Sequence, residues 1–105
     1  MNGFAPLADH QGFDYKLMAE SLGTIVNVMA AHIQPQGGGP LGGGHTHPHN
    51  HLFVVTEGQI KMKIGDTETI VEKDCSIQVP GEVIHSIWNN AEGPSSVVIL
   101  NYMPK

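Results

Sequence analysis

The chain has 105 residues, of which 14% are charged, and its formal net charge is −5. Only five residues are Lys or Arg and they do not cluster, so the chain lacks the concentrated positive charge that phosphate backbones and anionic membrane surfaces require. No segment approaches the roughly 20 apolar residues of a membrane span, and the length fits one domain.

The first ten residues carry neither the basic stretch nor the apolar core of a leader peptide. The single cysteine, Cys75, can form no internal disulfide, which fits a cytoplasmic, reducing location. With no second cysteine and no basic neighbour at catalytic spacing, Cys75 reads as a small buried apolar residue rather than a reactive thiol.

Taken in chain order, residues 1–13 show no periodicity and are expected to form an N-terminal arm, loose or paired with a neighbour. Thr24 to Ile33 is rich in β-branched residues and predicts a strand. Gln34 to Gly44 holds two prolines and two Gly-Gly-Gly runs and predicts a loop. His51 to Thr56 is a strand ending at Glu57-Gly58. In Gln59 to Ile64, Ile60, Met62 and Ile64 alternate with Gln59, Lys61 and Lys63, the period of a half-buried strand. Gly65-Asp66 turns the chain into Glu68 to Glu72, its hairpin partner. After a turn at Lys73-Asp74, Cys75, Ile77 and Val79 alternate with polar residues as far as Pro80-Gly81. His85 to Asn89 is a short strand, Asn90 to Pro94 a turn, and Ser95 to Met103 the last strand. Val97 to Leu100 is apolar at every position, so both faces of that strand need cover, and a homodimer is expected to supply it. No segment predicts a helix. Many short strands with regular turns indicate a sandwich or barrel.

The informative region is chemical. Seven histidines are many for this length, and His45, His47, His49 and His51 fall within seven positions. In a His-x-His pair on extended backbone both imidazoles project to one side, where they can share an ion. Pro48 ends the pair's strand, and His51 opens the next and can reach back to the same point. His85 follows three strands later and can face the cluster. His49 is a candidate proton carrier rather than a ligand. His32 reads as a strand-face residue and His10 as part of the surface arm. Trp88 and Phe53 read as packing, with one of them a candidate wall of the site. The glycine-rich stretch lacks a following Lys-Ser/Thr and a helix, so it is not a phosphate loop.

The frame Gly39, five residues, His45-Thr46-His47, three residues, His51, six residues, Gly58 resembles the first motif of the cupin family, with His51 in the position usually held by glutamate. Pro80, His85 and Asn89 resemble its second motif. The resemblance spans about residues 24–103. It implies an all-β fold, the antiparallel double-stranded β-helix or jelly-roll barrel of small, RmlC-like single-domain cupins, occupying residues 1–105. It also implies a metal site built from His45, His47, His51 and His85. The chain departs from the second motif at Asp74 and Glu82, which stand where glycines are usual, and at Cys75, which stands where aspartate is common. Asp tolerates positive φ better than most residues, so Asp74 can still make its turn.

Imidazole suits Mn, Fe, Ni, Cu and Zn alike, so the cofactor is expected to be a divalent transition metal of unspecified identity. Four neutral ligands would leave it at +2, where a glutamate would reduce that charge. The function implied is that of a metal-dependent enzyme acting on a small oxygen-rich molecule, either dioxygenase-like on an enolisable dicarbonyl or an isomerase or lyase on a sugar acid. The alternative is a non-catalytic module that binds or senses a small ligand through the metal.

Overall fold

The computed structural model describes residues 3–43 and 46–104. These form nine strands and no helix: β1 (Ala5–Pro6), β2 (Gln11–Leu22), β3 (Ile25–Gly39), β4 (Asn50–Glu57), β5 (Gln59–Ile64), β6 (Thr67–Glu72), β7 (Ser76–Val79), β8 (His85–Asn89) and β9 (Ser95–Tyr102). With no helix present, none of the described residues forms one long and apolar enough to cross a membrane. Every strand pairing is antiparallel, and the strands run β6-β5-β8-β3-β9-β4-β7, with β2 on the free side of β3 and β1 on β2. The long β3 joins two layers. Its first part pairs with β9, and its end, Gly38 and Gly39, pairs with Trp88 and Ile87 of β8. This is the jelly-roll barrel that the family resemblance implied.

The alternating strands behave as their pattern predicts. Ile60 and Met62 of β5 point inward and are fully buried with Ile33, Val55 and Val79, while Lys61 and Lys63 face out. Burial of each such apolar side chain contributes roughly 1.5–3 kcal/mol. In β9, Val97 and Ile99 enter the core, and Val98 and Leu100 lie half-buried on the outer face.

Three expectations are corrected. Gln34 to Gly39 is not loop but the end of β3. Glycine permits it, because a Cβ on Gly38 would come within 2.3 Å of the Ile87 carbonyl oxygen. The N-terminal region folds back on its own domain, and Phe13, Asp14 and Tyr15 pair with Ile33, His32 and Ala31. Propensity missed β2 because one of its ends, Ala19 to Leu22, packs on little and is mostly exposed. Cys75 is exposed, since it precedes β7 instead of alternating within it.

The two residues that stand where the second motif usually has glycine adopt the positive φ that glycine favours: Asp74 and Glu82 each have φ of 67°. Gly58, the last glycine of the first motif, has φ of 75° and would place a Cβ 2.2 Å from Ser95 Oγ. That space is taken by the Ser95 hydroxyl, whose oxygen accepts the Gln59 N–H at 3.1 Å.

Candidate metal centre

Three imidazoles converge at one end of the barrel. His47, His51 and His85 each offer a ring nitrogen, and these atoms all lie within 4.8 Å of one another. Nitrogens that share one ion at roughly 2.1 Å are at most about 4.2 Å apart, so small side-chain rotations bring the set onto a metal. His45 lies outside the described residues, so the fourth expected ligand rests on the motif alone.

Each element places its histidine for a local reason. His51, the second residue of β4, is gripped on both sides, by Val79 of β7 and Asn101 of β9. His85 opens β8 on the opposite layer, across from Ile64. His47 sits in the connection before β4. Its carbonyl accepts the Glu82 N–H at 2.7 Å, and Asn50 Oδ1 accepts the Gly81 N–H at 2.7 Å. The turn of the second motif therefore braces the loop of the first, and the positive φ at Glu82 aims its amide at His47.

Hydrogen bonding sets the protonation of two rings. His85 Nδ1–H donates to the Val83 carbonyl at 3.0 Å, which leaves the lone pair on Nε2. His51 Nδ1–H donates to Asn101 Oδ1, and His51 Nε2 is buried with no hydrogen-bond partner. A buried polar atom left unsatisfied costs on the order of 1–3 kcal/mol, and an ion at that point would remove the cost. The residues therefore fit a bound metal. Asn101, 5% exposed, was not flagged by the sequence; it lies outside both motifs, and its only signal was a lone amide after the apolar run Val97 to Leu100.

Burial is the main cause that holds His47, His49, His51 and His85 below the ordinary imidazole pKa. His51 is pushed down to about 4, with the neighbouring histidines adding to burial and the Asn101 hydrogen bond opposing it. The described cluster is thus neutral at pH 7, the state in which imidazole binds metal.

His49 is half-buried and outside the converging trio. Its ring stacks on His47 with centroids 5.1 Å apart and meets His51 edge-on at 4.8 Å. His32 bonds Ser96 Oγ through Nδ1 at 2.9 Å and packs on Phe4, on the outer face of β3. His10, expected on a surface arm, instead lines the cavity beside Phe13. It fits there because Gly39 has no side chain: a Cβ would come within 2.6 Å of its ring.

The histidines open into a cavity of about 330 Å³, at the small end for ligand sites. Its other walls are mainly apolar: Leu7, Phe13, Met29, Phe53, Ile87 and Ile99, with Ala8 and Asn101. Of the two candidate walls, Phe53 lines the cavity together with Phe13, whereas Trp88 faces a separate outer cleft with Lys61 and Lys63. Glu57 and Glu82, the carboxylates nearest the motifs, are exposed.

A family described as "Cupin domain" matches residues 30–101. No protein of curated function matches the sequence. Solved structures show the same architecture. KdgF from Halomonas sp. is 14% identical with a TM-score of 0.80, over 97% of this chain and 86% of that one. A cupin-2 domain from Rhodospirillum rubrum is 15% identical with a TM-score of 0.79, over 100% and 78%. The Cnp3 cupin domain of Schizosaccharomyces pombe is 14% identical with a TM-score of 0.80, over 90% of this chain and 66% of that one. At such identities the likeness establishes the fold and leaves activity to the site.

Proposed function

The chain belongs to the cupin family, and on that premise we propose that it is a metal-dependent enzyme, dioxygenase-like, acting on a small enolisable dicarbonyl. The observation that carries this reading is the contrast within one cavity: histidines at one end, mainly apolar side chains elsewhere. A sugar acid would need partners for several hydroxyls, and beyond the histidines the described lining offers one polar side chain, Asn101. That favours the dicarbonyl over the sugar acid.

His47, His51 and His85, with His45 completing the motif, would hold a divalent metal. Bound there it would act as a Lewis acid for paired oxygens, with its +2 charge undiminished by a carboxylate ligand. Leu7, Phe13, Met29 and Phe53 hold the apolar body of the ligand and exclude water. His49 is neutral at pH 7 and sits against His47, placed to take the proton released when the ligand enolises.

The test is an oxygen-electrode assay with protein loaded with Fe²⁺ or Mn²⁺ and a panel of β-diketones and sugar acids. Oxygen uptake with a diketone, reduced at least about tenfold in His49→Ala at equal metal content, is expected. Turnover of sugar acids alone would overturn the substrate class. The absence of any carboxylate from the described lining favours a second reading, ligand binding without turnover. Its signature is a ligand-induced spectral change of Co²⁺-loaded protein without oxygen uptake.

A second copy of the chain is the proposed partner. Val98 and Leu100 of β9 stand beside Val54 and Leu52 of β4 and Ala30 and Val28 of β3, giving the outer face a continuous apolar strip of half-buried residues. Light scattering should report a homodimer at micromolar concentration. A monomer there would leave the strip without that role.

A further inference from the structure

Three residues on adjacent strands form a straight row. His51 of β4 is in register with Asn101 of β9, and Asn101 is in register with Asn27 of β3. Their side chains are linked in the same order: His51 Nδ1 to Asn101 Oδ1, then Asn101 Nδ2 donating to Asn27 Oδ1 at 2.7 Å. We propose that Asn27 is a positioning residue for the metal site, which locks the amide of Asn101 and so keeps the proton of His51 off its metal-facing nitrogen. This rests on the metal reading of the site.

The physical argument is one of donors and acceptors. A primary amide presents a carbonyl on one side and an NH₂ on the other, and the two ends are nearly equal in shape. Asn101 is buried, so both ends must be matched. While Asn27 accepts from Nδ2, Oδ1 must face His51. That end can only accept, so His51 carries its proton on Nδ1, and Nε2, the buried atom without a hydrogen-bond partner, keeps its lone pair. If Asn101 turned over, its NH₂ would face His51. Nδ1 would then hold the lone pair and the proton would move to Nε2, the nitrogen left to bind an ion. No charge changes, yet the ligand is blocked. Asn27 does not line the cavity, so it acts on the site from a distance, and the side-chain row is the link the hydrogen bonds show.

Two variants separate the acceptor from the bulk of the side chain. Asn27→Asp can only accept at this position and should preserve the arrangement. Asn27→Ala removes the acceptor, strands Nδ2 and frees the amide to turn. The first readout is long-range ¹H–¹⁵N NMR of the histidine rings in metal-free protein at about pH 8, where imidazole is neutral. Wild type and Asn27→Asp should show His51 as the Nδ1–H tautomer, and Asn27→Ala a mixture. The second readout is Zn²⁺ affinity by chelator competition, which should fall about tenfold in Asn27→Ala and stay within about twofold in Asn27→Asp. An unchanged His51 tautomer in a folded Asn27→Ala overturns the proposal, as does equal loss of affinity in both variants. A wild-type chain that binds no Zn²⁺ overturns the metal reading instead, and the metal-free spectra still judge the row.

Discussion

His51→Ala should lower Zn²⁺ affinity by at least about a hundredfold, the largest loss of any single histidine in the cluster. A ligand removed outright costs more than the 10–100-fold typical of its supporting partners. His51 is also the ring most committed to the task. It is 4% exposed, held between two strands, fixed in tautomer by Asn101, and buried with its second nitrogen unpartnered. Alanine also leaves a cavity, so ligand loss must be separated from unfolding. His51→Leu fills most of that volume without offering a nitrogen, and should bind no better than alanine while melting at a higher temperature. His32→Ala, on the outer face, should bind as the wild type does. The measurement is chelator competition on samples shown to be folded by their thermal transitions. Wild-type affinity in a folded His51→Leu would remove His51 from the ligand set.

The parts of this site that the sequence revealed are those written at short range. The spacing of His47 and His51 placed both on one loop-to-strand junction, and the alternation of β5 gave its inward residues. The turn at Asp74 was legible because Asp is among the residues that tolerate the φ of 67° it adopts, whereas Glu82, with the same φ, carries no such mark. Partners made by strand pairing were not legible. Asn101 meets His51 across 50 residues, and Asn27 meets Asn101 across 74. An isolated asparagine in a strand gives no local signal of the partner it will face. The same limit hid β2, whose identity comes from the edge of β3 that it covers. It also hid His10, whose place in the cavity depends on Gly39, a residue 29 positions away in sequence.

The metal-free chain should lose stability as pH falls from about 6.5 toward 4. Unfolded histidines take up protons near 6.5, whereas the folded chain holds His47, His49, His51 and His85 below that value, mainly by burial. In this window the unfolded state binds more protons than the folded one, so stability is present above about 6.5 and is lost as pH falls through the folded values. His51, pushed down to about 4, contributes on the order of 3 kcal/mol of that loss by the time its folded value is passed. Carboxylates also titrate near the acid end, so the diagnostic quantity is a difference. Urea unfolding at pH 7.5 and 4.5 should show a decline about 2–3 kcal/mol smaller in His51→Leu than in the wild type. Metal acts in the opposite sense. At a free concentration of about 100 times Kd it adds about 2.7 kcal/mol, but only while the ring nitrogens are unprotonated. Ordinary imidazoles would release it below about pH 6, whereas a nitrogen that resists protonation to about 4 keeps its lone pair further into acid. The stabilisation by Zn²⁺ should therefore persist at pH 5.5 and disappear near pH 4. Identical declines in wild type and His51→Leu would mean that the buried ring is not the acid-sensitive element of the barrel.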